Sequence, residues 1–149
     1  MSFERIKATK GRLLGVDFGE ARTGLALSDA ARLLASGIGN IQGGGLERSA
    51  DAILAAVAEH GAVGVVLGLP VNMNGTEGPR AERARMLARC IEERDPTLPV
   101  VLLDERMSTM AASRLLNETN TRGKKRKGVI DTLSAQIILQ NALDRLKLL

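Results

Sequence analysis

Three apolar runs without polar alternation constrain this chain more than any other feature: Leu13 to Val16, Val63 to Leu69 and Pro99 to Leu103. A strand with one face in water alternates apolar and polar residues. A strand that does not alternate is covered on both faces and belongs inside a sheet. Helical spacing fills the intervals, with Leu46, Ala50, Ile53, Leu54 and Val57 on one face of Leu46 to His60, and Pro79 in the first turn of the next helix. Strands joined through helices run parallel, with right-handed crossovers.

The first run ends in Asp17, a carboxylate that is costly beside a buried strand unless its charge is compensated. Gly19 and Gly24 bracket Arg22 and Thr23, so the chain turns and returns antiparallel through Leu25, Ala26 and Leu27. Leu33 to Gln42 offers a third short strand, and Gly43, Gly44 and Gly45 a flexible turn. GIGNIQGGG lacks dinucleotide-binding spacing and the Lys-Ser/Thr pair of a P-loop, and reads as turn chemistry. The expected fold is α/β, a five-stranded mixed sheet in order 3-2-1-4-5 with flanking helices, residues 1–149 forming one domain.

The N-terminal MSFERIKATKG has no apolar h-region and no run reaches the length of a membrane span, so a cytoplasmic protein without a membrane partner is expected. The lone Cys90 excludes an intrachain disulfide and a multi-cysteine zinc site, and falls among Leu87, Ala88 and Ile91 as a small core hydrophobe. His60, followed by Gly61, reads as a helix end favoured by the dipole, the alternative being acid-base work.

The net charge of +4 is local. Arg122, Lys124, Lys125, Arg126 and Lys127 hold five of the 21 basic residues, and the remaining 16 against 17 acids leave the rest at −1. Such a cluster, expected as a loop from Thr119 to Gly128, suits a phosphate backbone or a solvated surface. Phe3 and Phe18 are the only aromatics, so the chain cannot build the stacking platforms of many single-strand binders. Recognition of nucleic acid would work through backbone and shape. PVNMNGTEGPRAERA is a polar loop feeding a helix, where Asn72 and Asn74 either help a helix terminus hold a phosphate or belong to a loop capped by Thr76 or Glu77.

The third run also ends in acid, Asp104 and Glu105, before a helix capped by Ser108 or Thr109 and running to about Asn117. Ile130 opens a terminal helix with Ala135, Ile138, Leu139, Ala142, Leu143 and Leu146 as its apolar stripe. Asp131 belongs to that stripe, as a helix N-cap or as a metal ligand. Acids at the carboxyl ends of two parallel strands that flank a third stand roughly 10 Å apart in backbone, a gap that carboxylates and cations bridge. With no catalytic cysteine and no nucleophile–histidine pattern, the carboxylates point to Mg²⁺ or Mn²⁺ chemistry on phosphodiesters, in which two cations activate a water and stabilise the leaving oxygen.

GRLLGVDFGEARTGLALSD, GLPVNMNGTEGPRAE, DERMST and IDTLSAQIILQ, in that order over nearly the whole chain, resemble the signatures of the YqgF/RuvX family. The resemblance implies a ribonuclease H-like fold and a metal-dependent nuclease, described both as a Holliday junction resolvase and as the enzyme that matures the 5′ end of small-subunit (16S) ribosomal RNA. It implies catalytic and metal-binding roles for Asp17, Glu105 and Asp131, and so prefers Glu105 over Asp104. Arg22, Asn72, Asn74, Lys124, Lys125, Arg126 and Lys127 are the substrate-binding candidates. Better-known resolvases of this fold often carry a further acid one turn after the last, where this chain has Ser134. Expected partners are precursor ribosomal RNA or branched DNA, with ribosomal particles, and the chain acts as a monomer or homodimer. The rival readings are a sugar-kinase-like ATPase, which would need a second lobe, and a non-catalytic RNA-binding assembly factor, against which the three acids argue because carboxylates repel phosphates unless cations intervene.

Overall fold

The computed structural model describes residues 3–104 and 123–149, with side chains over 3–104 and from 132 onward. Along the chain lie α1 (Phe3–Lys7), β1 (Leu13–Asp17), β2 (Arg22–Ser28), β3 (Ala35–Gln42), α2 (Leu46–His60), β4 (Gly64–Leu69), α3 (Pro79–Arg94), β5 (Val100–Asp104) and α4 (Gly123–Lys147). The sheet order is β3-β2-β1-β4-β5, with β1 antiparallel to β2 and parallel to β4, as the apolar runs imply.

Alternation along β1 divides the core. Leu14 and Val16 face α2 and α3, packing with Ile53, Leu87 and Ile91, whereas Leu13 faces α1 and α4, packing with Ile6, Ile138, Leu139 and Leu143. Both faces of β1 and β4 are therefore dry, which is why neither strand alternates in sequence. β3 is an edge strand, buried at Ala35, exposed from Ser36 to Ile38 and then alternating half-buried with exposed residues. Gly15 lets α4 approach closely: a Cβ there would lie 2.7 Å from the Leu139 Cβ and 3.0 Å from the Ala135 carbonyl oxygen.

Several boundaries differ from expectation. α1 comes from a segment too short to carry a helical period, and Ile6 is its buried anchor. β3 starts at Ala35 rather than Leu33, because the N–H groups of Leu33 and Leu34 donate to Asp29 Oδ1 (2.7 and 3.1 Å) and hold a turn. The basic segment expected as a loop is helical from Gly123, so Lys124, Lys125, Arg126 and Lys127 lie in the first turns of α4. Lys and Arg propagate helix well, and the core-facing stripe that follows anchors it. α2 matches its expected bounds and ends on Gly61 in the left-handed region, φ 66°. Cys90 is half-buried against the α2 and α3 core. The helix expected from Ser108 or Thr109 to about Asn117 lies outside the described residues.

Candidate active site

Asp17 closes β1 at the carboxyl edge of the parallel strands. Leu13 and Gly15 face α4, so the alternation of the strand puts Asp17 on that same face. Its cross-strand neighbour is Gly24, which has no side chain to crowd it. Arg22, two residues earlier on β2, stands on the same face as Gly24 and Ala26, at the Asp17 end of the sheet. A half-buried carboxylate with an open neighbour offers hard oxygen donors, the type that suits a divalent cation.

The direction of α4 is fixed by its contacts. Gln140 Oε1 accepts from the Ala35 N–H at the start of β3 (2.9 Å), whereas Thr132 packs against Gly37 further along that strand. β3 and β1 both run antiparallel to β2, so α4 runs against β1 and its N-terminal half lies at the Asp17 end. Asp131 is one turn before Ala135, whose carbonyl oxygen lies over Gly15, and Asp17 is two residues beyond Gly15. One turn and two strand residues each advance about 6 Å, so the backbone at 131 keeps pace with the end of β1. Ser134, one turn on, is buried and supplies no acid.

Glu105 lies outside the described residues. Asp104 closes β5, and Leu103 before it packs on the α4 side, so alternation turns Asp104 to the opposite face from Asp17. His60 is at the far edge of the sheet, where α2 hands over to β4, beside Glu59 (3.9 Å). No group of three His, Cys, Asp or Glu residues able to hold a metal occurs among the described residues.

Asn72 and Asn74 are engaged in their own loop. Asn74 Oδ1 accepts from the Thr76 N–H (3.1 Å) and hydroxyl (2.6 Å), and Asn72 Nδ2 donates to Thr76 Oγ1 (3.1 Å). Neither Thr76 nor Glu77 caps α3, which removes one of the two readings of this loop: Gly78 is the N-cap and no side chain bonds the helix start. Glu77 instead accepts both Arg85 Nε (2.6 Å) and Nη2 (2.7 Å), and this bidentate pair holds its carboxyl below the usual range. A feature that sequence reasoning missed is the cleft formed by Phe18, Gly19, Glu20, Gly44, Gly45, Ser49 and Arg83. The glycines were visible, but no local spacing pairs Ser49 with Arg83.

Residues 11–145 match the family model described as RuvX: Holliday junction resolvase. A relative from Paracoccus denitrificans (strain Pd 1222), named "Putative pre-16S rRNA nuclease", is 46% identical over 139 residues, 93% of this chain and 87% of that protein. One from Bradyrhizobium sp. (strain ORS 278), of the same name, is 47% identical over 137 residues, 92% of this chain and 84% of that protein. Among solved structures, T. thermophilus RuvC in complex with a Holliday junction substrate superposes with a TM-score of 0.53 at 12% identity, covering 86% of this chain and 91% of that one. The fowlpox virus Holliday junction resolvase gives 0.54 at 14% identity, covering 93% and 99%. At these identities the superpositions speak for the fold alone, and the family match speaks for lineage. On both grounds, the chain belongs to the RuvX family and has a ribonuclease H-like fold.

Proposed function

We propose that this protein is a metal-dependent nuclease that hydrolyses nucleic-acid phosphodiesters in the cytoplasm, and that its substrate is the precursor of 16S ribosomal RNA, trimmed at the 5′ end. The observation that carries the reading is Asp17, held by β1 on the α4 face at the carboxyl edge of the sheet, in a chain whose relatives at 46% and 47% identity bear the name "Putative pre-16S rRNA nuclease". Asp17, Glu105 and Asp131 are the proposed ligands of two Mg²⁺ or Mn²⁺ ions. Bound there, the ions would supply an activated water and neutralise charge at the leaving oxygen. The chain's own part is to present Asp17 at the end of β1, Asp131 on α4 and Glu105, which follows β5 in the sequence, and to grip the strand on either side.

Arg22 on the Asp17 face and Lys124, Lys125, Arg126 and Lys127 at the start of α4 are the proposed grip, with Asn72 and Asn74 shaping the adjacent loop. Four cations in the first turns of a helix oppose its macrodipole, and no acid in that turn offsets them. A bound phosphate backbone would turn that local penalty into attraction.

The second reading, cleavage of branched DNA, is favoured by the description of the matching family model. A side-by-side assay separates the two: precursor ribosomal RNA and a four-way DNA junction, each with Mg²⁺ or Mn²⁺ and an Asp17→Asn control. Asp17-dependent cleavage of the RNA alone supports the first reading, and of the junction alone the second. Cleavage of neither, with RNA still bound, would leave the protein a non-catalytic assembly factor.

A further inference from the structure

A cleft of about 180 Å³ opens on the α2 and α3 side of the sheet, at the end where β1 stops. Its walls are two turns pressed together, Phe18 to Glu20 after β1 and Gly44 to Gly45 before α2. Gly43 permits the approach: its N–H donates to the Ala21 carbonyl (2.9 Å), and a Cβ there would collide with the Glu20 carbonyl oxygen. Gly45 has φ 89°, and the space where its side chain would stand is open. At about 30 Å³ per water, the cleft admits a tetrahedral oxyanion with some hydration.

Three observations converge on that space. The N-cap of α2 is Gly45 and no side chain bonds the helix start, so the positive end of a 15-residue helix faces the turn uncapped. Ser49 is only 2% exposed, lines the cleft, and its hydroxyl has no hydrogen-bond partner among the described residues. Arg83 lines it from α3, and its Nε is likewise buried and unpartnered among the described residues. Buried polar groups are normally satisfied, and here a hydroxyl, one guanidinium N–H and a helix N-terminus lack a side-chain partner among the described residues around one space. Glu20 is the one acid among the lining residues, and its side chain belongs to an exposed residue.

We infer that this cleft is a phosphate-binding site, with Arg83 and Ser49 as its side-chain ligands. It holds a non-scissile backbone phosphate of the nucleic acid whose scissile phosphate is presented at Asp17, on the other face of the same strand end. The phosphate-binding part stands on geometry alone; the assignment to a substrate phosphate rests on the proposed nuclease reading.

The test uses the full chain and inorganic phosphate. Amide spectra should show saturable shifts at Gly44, Gly45, Leu46 and Ser49 with phosphate but not with chloride at equal ionic strength. Arg83→Gln should weaken that binding about tenfold, and Glu20→Gln should tighten it. Ser49→Ala should melt a few degrees higher without phosphate, having lost an unsatisfied buried hydroxyl, yet lose most of the phosphate-induced rise in Tm. Diffuse, unsaturated shifts, or shifts that survive Arg83→Gln, would mark an adventitious ion only and overturn the site. With oligonucleotide substrate, Arg83→Gln should raise KM about tenfold with little change in kcat, and flatten the dependence of log affinity on log salt by about one. Intact phosphate binding with KM and salt slope unchanged would overturn the substrate assignment. If the wild type cleaves nothing, the salt slope of binding still decides the cleft, and the nuclease reading fails separately.

Discussion

Leu139 occupies the space that a side chain at Gly15 would need, its Cβ only 2.7 Å from where one would start. Through that contact α4 meets β1 backbone to backbone, and the register between the last helix and the strand that ends in Asp17 is set. Replacing a strand glycine by alanine usually gains up to about 1 kcal/mol from reduced chain entropy. Here overpacking outweighs that gain, at about 1–3 kcal/mol. Gly15→Ala should therefore lower the urea midpoint and lose activity together, because α4 must shift to accept the methyl group.

Asp17→Asn should preserve the fold and abolish cleavage. The substitution keeps the volume of the side chain at a half-buried strand end, so the far-UV circular dichroism of the folded chain should be unchanged. Turnover should fall on the order of a thousandfold, the equivalent of several kcal/mol of charge stabilisation, and added Mn²⁺ should not restore it.

Salt should reveal the basic start of α4. Each Lys→Gln substitution among Lys124, Lys125 and Lys127 should weaken nucleic-acid binding similarly for all sequences and reduce the salt slope by about one, as measured by fluorescence anisotropy between 50 and 200 mM salt. A change in sequence preference instead would point to base contacts.

The Asp29 turn supplies a pH dependence with a definite sign. N–H groups of Leu34 and Leu33 hydrogen-bond the Asp29 carboxylate and lower its pKa in the folded state. The stabilisation is complete above the ordinary carboxylate value and is lost as pH falls through the lowered folded value. Asp29→Asn should thus flatten the fall of Tm as pH drops below the ordinary carboxylate range, with little loss of activity at neutral pH.

The pair of Glu77 with Arg85 closes the loop after β4 onto α3 at the surface. Exposed pairs contribute little to global stability. Arg85→Gln should leave Tm nearly unchanged and speed amide exchange at Asn72 and Gly75, whose N–H groups bond the Thr76 and Asn72 carbonyls.

The central strands were legible because burial on both faces leaves a mark in composition: β1 and β4 read as unbroken apolar runs, and α2 as a helix with the bounds it has. Short or locally overridden elements were not. Asp29 bends the chain through Leu33 and Leu34, although both residues suit a strand. The charge run at Lys124 is continuous with a helix whose stability comes from Leu139 and Leu143 many turns away. Of the proposed site, Asp17 stands at the strand end that its sequence position implied, and alternation turns Asp104 to the other face. The Ser49 and Arg83 cleft had no linear signature, since it depends on α2 and α3 packing side by side.

Because α4 follows all five strands along the chain, the growing polypeptide must carry one greasy side of its sheet bare until that helix emerges. Leu13, Val66 and Val101 wait for Ile138, Leu139 and Leu143 to emerge. Premature termination before Gly123 would therefore leave a sticky slab rather than a weakened enzyme, and cells making such a fragment should lose it to aggregation or proteolysis.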